Sequence, residues 1–149
     1  MTRLATLYQD VILDHNRSPL NYRSMVDANR RVEGNNPLCG DRLTVWLRME
    51  DGVIADVAFQ GLGCAISMAS ASLMTSAVKG KTRAEAEALF DRFRRMITGS
   101  GTDDDTTALG KLAVFSGVSE FPIKVKCATL SWHAMKAALD EPDAVVSTE

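Results

Sequence analysis

The sequence predicts one mixed domain of helices and antiparallel strands, and two observations carry that expectation. Two alternating segments between Leu43 and Phe59 flank a turn, which reads as a β-hairpin. On both sides of the hairpin, apolar residues recur at helical spacing. The 149 residues fit a single domain spanning 1–149. That length can bury a core without disulfide support.

Leu4, Leu7, Tyr8, Val11 and Ile12 lie on one helical stripe, so residues 3 to 15 form an amphipathic helix, ended by "HNRSPLN". The polar stretch 28–36 suits a short edge strand. In "LTVWLRM", Leu43, Val45, Leu47 and Met49 point one way; "EDG" turns the chain, and "VIADVAF" alternates again. Gly61 and Gly63 are expected to break that strand. A helix follows from Ala65, its many Ser and Ala residues implying close packing, and Gly80 stops it. Thr82 and Glu85 form a capping-box pattern for a helix that buries Leu89, Phe90, Phe93, Met96 and Ile97. "TGSGTDDDTT" reads as a mobile acidic loop with solvated charges at 103–105, followed by a short helix near 106–115. "GVSEFPIKVK" reads as an extended connector, the last helix as starting near Cys127, and residues 141–149 as a frayed tail.

The chain is 46% apolar and 24% charged, with 17 basic and 19 acidic residues and a net charge of −2. That balance offers no electrostatic reason to expect nucleic acid or an anionic membrane as partner. There is no apolar run of spanning length and no signal-type segment in "MTRLATLYQD", so a cytoplasmic protein is expected. Three cysteines, an odd number, argue against a disulfide framework. In a reducing compartment they are core residues, metal ligands or nucleophiles.

Each cysteine is expected at a boundary. Cys39 lies in a loop, and Cys64 and Cys127 are read as opening helices, where free N–H groups favour thiolate. Together with Asp41 they make four donors, the coordination number of tetrahedral zinc. No CxxC pair supports the metal reading, so buried apolar roles stay open. Three thiolates and a carboxylate would hold zinc at a net −2, a charge that Arg42, Lys124 and Lys126 are placed to relieve; a solvated surface charge is the alternative for each and the preferred reading for Arg42. His15 reads as a charge on a helix C-terminus. His133 falls off the helical face of Cys127.

"NPLCGD", "GLGCAISMASASLM" and "KCATLSW", with "YQDVILDHNRSPLN" at the front, resemble the SufU branch of the IscU-like (NifU N-terminal) family, over roughly Leu4 to Leu139. The resemblance implies an α+β fold: a small antiparallel sheet of about three strands packed on helices, with a metal site at one end. It implies Cys39, Asp41, Cys64 and Cys127 as metal ligands, with Cys39 catalytic. The stretch from Arg92 to Ser116 is similar to the insertion of SufU-type chains. Fe–S scaffolds of the IscU type carry His directly before the last cysteine and an "LPPVK"-type segment; this chain has Lys126 and "FPIKVK". Lys124 stands where many relatives have Arg, which keeps the charge and loses bidentate geometry.

The implied activity is that of a zinc-dependent sulfurtransferase. It would accept persulfide sulfur from a PLP-dependent cysteine desulfurase of the SufS type and pass it to downstream Fe–S assembly proteins. The implied cofactor is Zn²⁺. In the implied chemistry a desulfurase side chain, a histidine by resemblance, displaces Cys39 from zinc, and the freed thiolate attacks the persulfide. Gly40 beside Cys39 makes it the donor best able to move. The alternatives are a scaffold carrying a transient Fe–S cluster on the same donors and a zinc that only stabilises the fold.

Overall fold

The computed structural model describes residues 3–140 and 145–147. Three antiparallel strands form the sheet: β1 (Arg30–Asn36), β2 (Asp41–Glu50) and β3 (Val53–Leu62). A short β4 (Val145–Ser147) runs parallel to β1, giving the order β3-β2-β1-β4. The expected edge strand at 28–36 is therefore covered along part of its length, and this part of the tail is paired rather than frayed. The rest of the expected tail, 141–144 and 148–149, lies outside the described residues.

The helices are α1 (Arg3–Arg17), α2 (Ala65–Val78), α3 (Arg83–Ile97), α4 (Asp103–Leu109) and α5 (Pro122–Asp140), with a 3₁₀ segment at Gly110–Glu120. Leu43, Val45 and Leu47 point inward on β2, as their alternation predicts. The β2–β3 turn places Asp51 and Gly52 at φ 53° and 78°, the both-positive pattern of a tight hairpin turn. On β3 the expected alternation is only partly kept. The register shifts between Arg48 and Met49, so Ile54 and Val57, three residues apart, are both buried.

Gly61 does not break β3; the strand runs through it to Leu62. Its φ is 153°, and a Cβ there would meet the Arg42 carbonyl oxygen at 2.1 Å. The glycine permits close approach of two backbones rather than ending a strand.

α2 is buried on most of its surface, and its small residues let α5 come close. The Ser70 hydroxyl donates to the Ala128 carbonyl at 2.5 Å and accepts the Trp132 indole N–H at 3.2 Å. Trp132 stacks on Phe93 at 4.7 Å and on Phe90 at 5.8 Å, joining α5 to α3. The Thr82 and Glu85 capping box opens α3 as expected. On α1, Ile12 is buried and Val11 packs beside the core; the side chains of Leu4, Leu7 and Tyr8 lie outside the described residues.

The insertion differs most from its sequence reading. Its acidic run is helix α4, opened by a second capping box between Thr102 and Asp105. Asp105 is buried and accepts two hydrogen bonds from Arg95, at 3.1 and 3.0 Å, with Arg92 at 3.7 Å. Hydrogen bonding to Arg95, then to the Thr102 backbone, lowers its pKa to about 2. The charge at 105 is a pinned anchor, not a solvated run. The connector is not extended either: it is 3₁₀ to Glu120, and α5 begins at Pro122. Proline at the first helical position is a start signal, since its missing N–H is one of the helix's orphans.

Candidate metal centre

At one end of the sheet, the β1–β2 connection brings the first donors together. Residues 37–40 form the turn, and Asn36 faces Asp41 across the ladder. Gly40 takes φ 72°, with nothing within 4 Å of where a Cβ would stand. Cys39 rides this turn half-buried, while Asp41, the first residue of β2, is fully buried.

Cys127 arrives from α5, 88 residues further along the chain, and its sulfur lies 3.1 Å from that of Cys39. It does not open its helix: Pro122 does, which leaves Cys127 in the second turn. The positive end of a helix fades within its first turn. Burial first, then hydrogen bonding with Cys39 and Asp41, pushes the Cys127 thiol far above its ordinary range. A thiolate there needs a cation beside it.

Cys64 stands at the N-cap of α2, as expected, though its side chain caps nothing. Its backbone N–H donates to Asp41 Oδ1 at 2.8 Å. Gly63 is the reason that this contact is possible: a Cβ on it would lie 2.9 Å from the same oxygen.

The donor atoms of Cys39, Asp41 and Cys127 lie within 4.8 Å of one another. That is close to the span one ion bridges with bonds of about 2.0–2.3 Å. Cys64 falls outside this three-residue group, yet its side chain adjoins Cys127. It is the first cause of a raised Lys124 pKa; burial opposes the rise, and Cys127, Cys39 and Asp41 add to it. Two sulfurs and a carboxylate converging, with a third thiol adjoining and an ammonium facing them, fit a soft divalent metal.

Neither histidine belongs to this group, as their sequence positions predict. His15 does not serve as a helix-end charge. Its Nδ1 meets the Ser72 hydroxyl at 2.6 Å, and burial, then Lys111, lowers its pKa. His133 lies edge-on to Phe90, 5.1 Å away, and burial lowers its pKa too. One residue at the centre escaped the sequence reading. Asn36 is fully buried, and its Nδ2 donates to Asp41 Oδ2 at 3.0 Å and to Cys127 Sγ at 3.4 Å. Its signal was an asparagine on a strand, where that residue is depleted. Close in sequence to the three cysteines, Leu38, Leu62, Phe121 and Ile123 are exposed.

Fold and site together define an α+β domain with a group of thiols and a carboxylate at one end that fits a metal ion. The NifU-like N-terminal domain family matches residues 7–141. The zinc-dependent sulfurtransferase SufU of Bacillus subtilis strain 168 is 43% identical over 89% of this chain and 89% of its own length. The iron–sulfur cluster assembly scaffold protein IscU of Streptococcus pyogenes serotype M1 is 40% identical over 93% of this chain and 86% of its own. The crystal structure of a proposed iron–sulfur cluster assembly scaffold protein for the SUF system, from Fervidobacterium islandicum AW-1, superposes with a TM-score of 0.83. It shares 33% identity and is covered over 97% of its length by 90% of this chain. The chain belongs to the NifU-like N-terminal domain family.

Proposed function

We propose that this chain is a zinc-dependent sulfurtransferase. It takes sulfane sulfur from the persulfide of a PLP-dependent cysteine desulfurase of the SufS type and hands it toward Fe–S cluster assembly in the cytoplasm. The observation that carries the reading is the unequal placement of two touching thiols. Cys39 sits half-buried on a glycine-hinged turn, while Cys127 is locked in the core. Such a pair suits one sulfur that reacts and one that stays. The likeness to the Bacillus sulfurtransferase supports the same reading.

Held by Cys39, Asp41, Cys64 and Cys127, zinc would supply the positive charge that keeps these thiols ionised, and it brings no redox chemistry of its own. Cys39 Sγ attacks the terminal sulfur of the donor persulfide. A new S–S bond forms on Cys39 as the donor's S–S bond breaks, and the bonding electron pair leaves with the donor cysteine as thiolate. The sum is a transfer of sulfur with no net oxidation. Lys124 faces the anions and offsets their repulsion as a second thiolate appears. The exposed Leu38, Leu62, Phe121 and Ile123 give a protein donor apolar surface to cover at the moment of transfer.

The test is desulfurase turnover with cysteine and a reductant. Wild type is expected to raise the rate and Cys39→Ala to leave it at the basal level; equal stimulation by both would remove Cys39 from its role. The likeness to the Streptococcus scaffold favours a second reading, cluster assembly on the same donors. Lys126 in place of a histidine before Cys127 speaks against it. Purification without oxygen separates the two: a visible iron–sulfur chromophore with little zinc supports the scaffold.

A further inference from the structure

Asn36 has no place in the sulfur-transfer chemistry, yet it is the best-connected neutral group at the centre. A strand position directly opposite Asp41 is ordinarily filled by a β-branched or aromatic residue. Here a fully buried carboxamide fills it, and its nitrogen reaches two different donors of the cluster, Asp41 Oδ2 and Cys127 Sγ. The orientation follows from chemistry. Turned over, the amide would set its oxygen against a carboxylate oxygen and a sulfur, three acceptors together. Asn36 Oδ1 is itself buried without a hydrogen-bond partner among the described residues. A buried acceptor left bare is a standing cost. The fold keeps it at a position where an apolar side chain would have had no such cost.

We infer that Asn36 is a positioning residue for the metal centre. One N–H fixes the Asp41 carboxylate, whose other oxygen is fixed by the Cys64 backbone. The second N–H holds the sulfur of Cys127. Asp41 and Cys127 are thereby kept as a fixed pair, so that the centre retains its metal while Cys39, on its turn, is the donor that moves. The amide suits this role because it brings hydrogen-bond donors without a further charge into a group of anions. Asn36 has this role only if the metal centre proposed above exists.

The test compares two side chains of nearly equal shape, Asn36→Thr and Asn36→Val. Both suit a strand, and only threonine brings an O–H donor. The readout is zinc retention against a chromophoric chelator, with circular dichroism to establish folding; no desulfurase is present, so the result is independent of sulfur transfer. Loss of a partner that orients metal ligands costs about 10–100-fold in affinity. Asn36→Val is expected to weaken zinc retention by that factor, and Asn36→Thr to recover a substantial part of it. In the cobalt-loaded protein, thiolate-to-cobalt absorption is expected to weaken in the same order. Equal retention by wild type and Asn36→Val, or equal weakness of the two folded variants, would overturn the inference. Should Asn36→Val fail to fold, Asn36→Ser against Asn36→Ala makes the same comparison with smaller side chains. A wild-type chain that binds no zinc removes the metal centre itself, a failure distinct from that of Asn36.

Discussion

Two buried aspartates form a natural experiment, Asp41 at the candidate metal centre and Asp105 in the insertion. Both accept a backbone N–H at the start of a helix: Asp41 from Cys64, Asp105 from Thr102. Their remaining partners differ. Asp105 is met by the guanidinium of Arg95 and flanked by Arg92, so its charge is answered within the chain. Asp41 is met by a neutral amide and by thiols, and no ion pair to it is found among the described residues. The difference ties Asp105 into the insertion and leaves the Asp41 carboxylate, among thiols, fit to take a metal ion.

The largest expected effect breaks that comparison directly. Asp41→Ala is expected to lower zinc affinity by more than the ~100-fold upper value for losing an orienting partner. Asp105→Ala is expected to leave it unchanged. Metal analysis after gel filtration checks both, and equal zinc content in the two variants would erase the distinction. Next in size is removal of the metal. Zinc held at ~1,000 times its Kd stabilises a fold by about 4 kcal/mol. For a chain of this length that corresponds to a fall in Tm of roughly 10 °C on chelation. An unchanged Tm would mean that the centre binds no zinc.

Acid sharpens the contrast from the other side. The folded pKa of Asp105, about 2, lies below that of an ordinary carboxylate. Its anchoring is therefore complete above about pH 4 and lost as pH falls toward 2. Hydrogen exchange across 102–120 is expected to quicken in that window, and to be already quick at neutral pH in Asp105→Asn. Slow exchange in both would show that α4 is held by its apolar contacts alone. The smallest effect belongs to His15, whose lowered pKa favours the neutral ring in the folded chain. Its contribution is present above about pH 6.5 and fades as pH falls below that. Amide exchange near Ser72 and Leu20, which meet at 2.7 Å, is expected to rise slightly by pH 5; His15→Gln is expected to abolish the pH dependence.

Much of the fold was legible because it is written locally. The alternation of Leu43, Val45 and Leu47, the Asp51–Gly52 turn and the Thr82–Glu85 box each need only a few neighbouring residues. Other local signals were present and read otherwise. Thr102 and Asp105 have the spacing of a cap, but three acidic residues in a row look solvated until Arg95 is seen beside them. Pro122 was an available helix start, five residues before Cys127. Asn36 was illegible as a site residue, because its meaning depends on which strand position lies opposite.

The sequence by itself determined which candidate donors are present, their order and the glycine beside Cys39, for these follow from residue identity and from φ freedom at one position. Only the tertiary structure decided that Cys127 touches Cys39 across 88 residues, that Asp41 is buried with no ion pair among the described residues, and that Asn36 bridges Asp41 and Cys127. The physical reason is range. Backbone preferences and periodicity act over a few residues. Burial and the electrostatics that follow from it are set by which helix packs against which sheet end.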